Sequence, residues 1–317
     1  MSNPRDELLA QVAYWYYVDG DGLGQIAKRI GRSVSMVSRM LSEAREQELV
    51  DIRINFPLNT ASTLERKIEQ VFQIRQAHVF AELDAKAGIE SLARFGQLGA
   101  DATHGHFESA QTVAVSWGSQ VHAIVKSLRP VSSSTGGEVI QTSGAIGATS
   151  PEHDGARICQ KLADKLGFQA TFLHSPLVVD TKLIADALRS SPTIENVLQR
   201  ARKADVVLAS VGSPFGTNPA LVRLGYLKPD DVESMRAAGS VGDIMGYAMD
   251  PEGRILDIGL NDRLVSLHPK DLFQISTVIV AAIGRDKVPA IRAALRAGYV
   301  NILVTDKITA EGLLETQ

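Results

Sequence analysis

The chain has 317 residues, 44% apolar and 22% charged, with a formal net charge of −3. It is therefore too long for one small module, has the composition of a soluble protein with two sizeable cores, and carries no overall charge that calls for a polyanion. A single cysteine, Cys159, excludes an internal disulfide and fits a reducing cytoplasm; the polar start MSNPRDELLAQ gives no secretory leader, and the purest apolar run, Val278 to Ile283, is too short to cross a membrane.

Leu8, Leu9, Val12, Ala13, Tyr16 and Tyr17 recur at helical spacing and predict a first amphipathic helix that ends at Asp19-Gly20-Asp21-Gly22. The cluster Tyr14-Trp15-Tyr16-Tyr17 reads as bulk for a small core rather than as a platform for bases. A second helix turns Leu23, Ile26, Ala27 and Ile30 inward, Gly31 supplies a turn, and Ser33 caps a third helix whose stripe is Val34, Val37, Leu41 and Ala44. Its neighbouring face offers Ser35, Ser38, Arg39 and Ser42. Two helices around a glycine turn, the second showing hydroxyls and an arginine, form a helix-turn-helix pattern. Short side chains let such a helix enter the major groove, where arginine pairs with a guanine edge. Lys28, Arg29 and Arg32 fall where phosphates would lie, and no acid occurs between Lys28 and Ser42. VDIRINF, Val50 to Phe56, alternates as the short strand of a winged variant. Residues 1–56 are thus expected to bind operator DNA.

FPLNTAST, Phe56 to Thr63, has the proline and small polar residues of a boundary, and Leu64, Ile68, Val71 and Phe72 mark a linker helix within 57–75 that packs on the larger domain or pairs with a second copy. From 76 to 317 the chain alternates strands and helices. Residues 77–81, 112–117, 138–143, 170–174, 205–212, 276–284 and 301–305 read as strands, with helices such as Ala156–Leu166 and Lys287–Ala297 between them. This predicts an α/β domain with a Rossmann-like, mostly parallel sheet covered on both faces. IMGYAMDPEGRILDIG interrupts the pattern as a hairpin turning at Asp250 to Gly253. Cys159 shares a helical stripe with Leu162, Ala163 and Leu166 and is expected to be a buried thiol.

Ligands of such sheets bind where strands end. The strand ends give Gly118-Ser119-Gln120 entering a helix, Ser143 closing EVIQTS, Gly212-Ser213, and Asp243 in a glycine-flanked loop from Gly239 to Gly246. Lys287 falls in the first turn of the next helix, where a cation opposes the helix dipole and hints at a bound anion. His104-Gly105-His106 lacks accompanying cysteines or acids and reads as helix-end histidines, so neither metal nor cofactor is expected.

The motifs QIAKRIGRSVSMVSRMLSEAREQELVDIRI, VAVSWGSQV, DVVLASVGS, GSVGDIMGYAMDPEG and AAIGRDKVPAIRAALRAGYVNILVTDKITAEGLL run in order over nearly the whole chain. Together they resemble the SorC-type sugar-binding transcriptional regulators. The resemblance implies an effector domain similar to ribose-5-phosphate isomerase and glucosamine-6-phosphate deaminase, a homo-oligomer (dimer or tetramer), and control by a sugar, polyol or sugar phosphate, with the phosphorylated form expected. It places Gly118, Ser119 and Gln120 at a phosphate loop, Lys287 as the phosphate-binding lysine and Asp243 as a pocket acid. Many relatives have threonine where this chain has Gln120. The enzymes of this fold carry Asp-Gly-His where this chain reads Ser213-Pro214-Phe215-Gly216, so a sensor without turnover is expected; the alternative is a sugar-phosphate isomerase or deaminase with an accessory N-terminal module.

Overall fold

Asn3 opens helix α1 (Pro4–Tyr17) by accepting from the Arg5 amide at 3.1 Å, with Pro4 setting the first turn. A computed structural model describes the chain at residues 3–47, 49, 50, 52, 60–81, 83, 89–131, 136–146, 154–215, 220–223 and 225–315. It divides into two compact units, Met1–Pro57 and Leu58–Gln317.

In the smaller unit α1 is followed by α2 (Leu23–Ile30) and α3 (Val34–Glu46). Gly31 ends α2 with φ +64°, a conformation glycine adopts without a Cβ clash, and Ser33 Oγ caps α3 by accepting from the Met36 amide at 3.3 Å. The core is Leu9, Val12 and Ala13 from α1, Ile26 and Ala27 from α2, and Val37, Met40, Leu41 and Ala44 from α3. Two sequence expectations shift by part of a turn. Val34 is 50% exposed and Met40 takes its place, because the buried stripe runs 37, 40, 41, 44 from the first full turn after the cap. Leu8, Tyr16 and Tyr17 are exposed, since α1 meets its neighbours along 9, 12 and 13. Arg5 ties α1 to α3, its Nε and a terminal nitrogen each 2.8 Å from a Glu43 carboxylate oxygen. The expected wing, Val50 to Phe56, lies largely outside the described residues, as does the start of the boundary segment.

The larger unit begins with α4 (Ser62–Phe72) and β1 (Gln76–Phe80). Then come α5 (Ile89–Glu108), β2 (Thr112–Val115), α6 (Ser119–Ser127), β3 (Glu138–Gln141), α7 (Gly155–Leu166) and β4 (Gln169–Thr171). Helices α8 (Lys182–Ser190) and α9 (Pro192–Ala201) lead to β5 (Val206–Ala209) and β6 (Val211–Gly212). After α10 (Ala220–Arg223) and α11 (Pro229–Ala237) come β7 (Gly242–Ile244), β8 (Tyr247–Met249) and α12 (Gly259–Asp262). The chain closes with β9 (Thr277–Ala281), α13 (Val288–Arg296), β10 (Ile302–Asp306) and α14 (Lys307–Leu314).

Seven strands form one parallel sheet in the order β1-β10-β9-β5-β2-β3-β4. Every residue of β5, β9 and β10 is buried, as strands covered on both faces must be. The chain leaves β2 toward β3 but returns through β5 on β2's other side, so a crevice opens above their C-terminal ends. The single strand expected at 205–212 is two: it leaves the parallel sheet at Ser210 and re-pairs as β6 in a separate antiparallel sheet β6-β7-β8. The expected turn at Asp250 to Gly253 is present, held by Asp250 Oδ1 accepting from the Glu252 and Arg254 amides at 2.9 Å. The regular hairpin lies one turn earlier, between β7 and β8 across Met245 and Gly246.

Edge strand β1 is covered. Helix α4 packs on it, with Glu69 Oε1 accepting from the Ala77 amide and Glu65 Oε1 from the Val79 amide, both at 2.9 Å.

Candidate functional site

Two regions carry the candidate residues. In the smaller unit, Lys28, Arg29, Arg32, Ser33, Ser35, Ser38 and Arg39 are exposed and Ser42 is half-buried. Arg29 is already engaged: it pairs with Asp21 at 3.0 Å, and its guanidinium lies 4.6 Å from the centre of the Trp15 ring. The Ser33 hydroxyl caps α3 and lies 3.0 Å from that of Ser35, and Ser42 Oγ accepts from Arg45 at 3.3 Å. Lys28, Arg32, Ser38 and Arg39 therefore remain the exposed candidate side chains of the pair without such an engagement among the described residues.

In the larger unit a cavity of about 410 Å³ opens at the C-terminal ends of β2, β5 and β9. Ser116 to Gln120 line it from the β2–α6 junction, and Ser210 to Pro214 from the end of β5 through β6. Ile283, Asp286 and Lys287 enter between β9 and α13, Asp243 and Met245 from β7 and its turn, and Ile146, Leu221, Arg223 and Leu227 complete the wall. Of the eight residues expected at an effector site, the structure brings seven to this cavity: Gly118, Ser119, Gln120, Gly212, Ser213, Asp243 and Lys287. Ser143 is not among the lining residues: it bridges Ser266 beyond the end of β3 and is fully buried, while Ile146 lines the wall.

Gly118, at φ +126°, turns the chain from β2 into α6 and caps that helix without a side chain. Gln120 is buried, and its Oε1 accepts from Lys287 Nζ at 3.1 Å and from Ser119 Oγ at 3.2 Å. Asp243 is not in a loop: it is the middle residue of β7, opposite Gly212 of β6, and 6% exposed. Its Oδ2 accepts from the Gly246 amide at 3.3 Å. Burial pushes the Asp243 carboxyl up to about 6, against the opposing pull of that amide and of Lys287. Burial also lowers Lys287, while Asp243 and Asp286 work the other way. Met245 holds φ +54°, a left-handed conformation rare for a side chain of its size, and this two-residue turn directs it into the cavity. The Trp117 indole N–H is buried without a hydrogen-bond partner. Trp117, Met245, Leu221 and Leu227 were missed by sequence reasoning; the tryptophan beside the expected glycine loop was the one available signal.

Among the described residues no group of three histidine, cysteine or acidic side chains is arranged to hold a metal, and His104 Nε2 lies 3.1 Å from Glu108 Oε1. Cys159 is buried and pushed up to about 12 by that burial, which makes it a poor nucleophile.

The model of the Sugar-bind family, a sugar-binding domain, matches residues 57–315. The chain belongs to this family. It is a regulator of the SorC type. The chain is similar to the deoxyribonucleoside regulator of Bacillus subtilis (strain 168), 29% identical over 316 residues, covering 99% of each chain. It is also similar to the sorbitol operon regulator of Klebsiella pneumoniae, 28% identical over 319 residues, covering 99% of this chain and 100% of that one. The crystal structure of the full-length sorbitol operon regulator SorC from Klebsiella pneumoniae superposes with a TM-score of 0.75 at 26% identity, covering 99% of this chain and 100% of that one. This SorC-type regulator therefore aligns with these two regulators over nearly their whole length. No helix among its described residues is long and apolar enough to cross a membrane.

Proposed function

We propose that this SorC-type regulator binds operator DNA through α2 and α3 within residues 1–56, and a sugar-type effector in the cavity of residues 76–317. Residues 57–75 link the two, and the chain acts as a cytoplasmic homo-oligomer. The observation that carries the reading is the occurrence, in one chain, of an exposed basic helix pair and a cavity that gathers Lys287, Gln120 and Asp243 at the rim of a parallel sheet. Arg32 and Arg39 supply phosphate and base contacts, and the cavity's hydroxyls, amide and charged groups bind hydroxyls of a small carbohydrate. The effector works by preferring one arrangement of the oligomer, which shifts operator affinity by linkage.

The regulators named above support a sensor rather than an enzyme. So do Ser213 and Pro214, which line the cavity where catalysis in this fold would draw on an acid and a base.

The test is selection of operator sites from a random duplex library by the purified chain, followed by fluorescence anisotropy against a panel of sugars, polyols and their phosphates. A bound effector is expected to change operator affinity roughly 5- to 150-fold. Absence of any sequence-selective binding would overturn the reading, as would turnover of ribose 5-phosphate or glucosamine 6-phosphate.

A further inference from the structure

The turn that carries Lys287 is held from behind by the last helix. Gly284, at φ +117°, opens the turn Arg285–Lys287, and its amide donates to Thr309 Oγ1 at 2.8 Å. Thr309 is fully buried, and its own amide donates to Asp306 Oδ1, the cap of α14, at 2.9 Å. Asp286 and Lys287 of the same turn line the cavity, whereas Thr309 does not. Whatever moves those two side chains therefore pulls on a hydrogen bond to α14.

Helix α14 is fastened to α13 as well. Arg292 of α13 donates to the carbonyls of Gly312 at 2.6 Å, Leu313 at 3.3 Å and Glu315 at 3.1 Å, at the end of α14 where carbonyls lack partners within the helix. A Cβ on Gly312 would stand 3.0 Å from Val288 Cγ2, so the two helices leave each other little room to slide. Interiors packed this closely transmit a displacement rather than absorb it. Helix α14 also packs on α4 and β1, and Ile68 of α4 is fully buried in the same core as Ala310 and Leu313 of α14. Helix α4 is the first helix after the boundary between Pro57 and Leu58, where the chain of the smaller unit enters the larger one.

We propose that α14 couples the effector cavity to the linker helix α4, and that Thr309 is the positioning residue at the cavity end of this connection. The proposal rests on the cavity being the effector site.

The test is hydrogen–deuterium exchange read by mass spectrometry on the full chain, unmodified and as Thr309→Val, which keeps the side chain's shape and removes the acceptor. Without ligand, the valine variant is expected to lose protection in residues 282–288 and in α4, and to keep it in α7. Thr309→Ser, which retains the hydroxyl, is expected to restore both segments. A loss confined to residues 282–288 overturns the part given to α14 and leaves the cavity as effector site. Arg292→Met, at the other end of α14, makes the same comparison should the valine variant not fold.

D-ribose 5-phosphate, glucosamine 6-phosphate, D-sorbitol and D-sorbitol 6-phosphate are then added in turn. A bound probe is expected to alter exchange in residues 282–288 and in α4 together. Its effect on affinity for a selected operator is expected to shrink about 2- to 30-fold in Thr309→Val, the range that changes along a coupled network produce, while its own affinity changes less. A fall confined to probe affinity, with the effect on the operator intact at saturation, makes Thr309 a support of the site alone and overturns the proposal. A probe that binds and leaves residues 282–288 unaltered overturns the cavity as its site, and the comparison of ligand-free chains still decides the part given to α14.

Discussion

Gly212 and Asp243 face each other across the β6–β7 pair so closely that a Cβ on Gly212 would stand 2.3 Å from Asp243 Oδ1. The glycine is what lets a carboxyl lie against a neighbouring backbone inside the cavity wall.

Gly212→Ala is therefore expected to push the Asp243 carboxyl from its place and destabilise the larger unit by about 1–3 kcal/mol, the usual cost of overpacking. Effector affinity is expected to fall, while operator binding without effector stays unchanged. Denaturant titration and effector calorimetry on the same preparation check this. Undiminished effector affinity would separate Asp243 from ligand recognition.

Asp243 also predicts a pH dependence. Its carboxyl sits at about 6 in the folded chain, against an ordinary value of 3.8. Between these values the native state keeps a proton that the unfolded chain has released, so stability from this group is fully present below about 4 and is lost as pH rises through 6. A shift of about two units corresponds to at most roughly 3 kcal/mol. Asp243→Asn, a permanent mimic of the neutral form, is expected to raise the unfolding midpoint at pH 7.5 and to leave it nearly unchanged at pH 4. Equal effects at the two pH values would show that the group does not titrate in this window.

On the DNA side, Arg39 and Arg29 are expected to behave differently. Arg39→Ala should weaken operator binding by about 1–3 kcal/mol if the guanidinium reads a base edge, with little change on scrambled duplex. Arg29→Lys keeps the charge but gives up the guanidinium over the Trp15 ring, so it is expected to cost about 0.5–1 kcal/mol in folding of the smaller unit. Thermal unfolding and anisotropy on both duplexes separate the two effects. A uniform loss on both duplexes for Arg39→Ala would assign it to phosphate.

Ser33→Ala removes the cap on α3 and is expected to destabilise the smaller unit by about 0.5–2 kcal/mol. Ser33→Asp, which restores an acceptor, should recover most of that loss in the same melt but place a negative charge on the side proposed to meet DNA, so its operator affinity should stay low. Recovery of both would mean that the face around Ser33 does not approach phosphate.

Much of this molecule was legible from its residues, for identifiable reasons. Apolar runs such as Thr277–Ala281 had to be covered on both faces, which led directly to a parallel sheet and to ligand chemistry at its strand ends. Gly31 and Ser33 are local signals that act where they stand. What was not legible depends on partners distant in sequence. GSVGDIMG reads as a loop because of its glycines, yet Asp243 is in a strand because Gly212, far earlier in the chain, pairs with it, as Val211 does with Ile244. The β7–β8 turn uses Met245 in a left-handed conformation, where sequence rules look for asparagine or glycine. Ser143 and Ile146 are three residues apart, and Ile146 lines the cavity while Ser143 bridges Ser266, more than a hundred residues on.

The hold of Glu65 and Glu69 on the rim of β1 has a practical consequence for anyone isolating the effector half. A fragment cut after residue 75 would bare a row of amides and carbonyls able to zip onto the same row of another molecule. It should precipitate or multiply into concentration-dependent aggregates, whereas a fragment that starts ahead of Thr60 should remain dispersed.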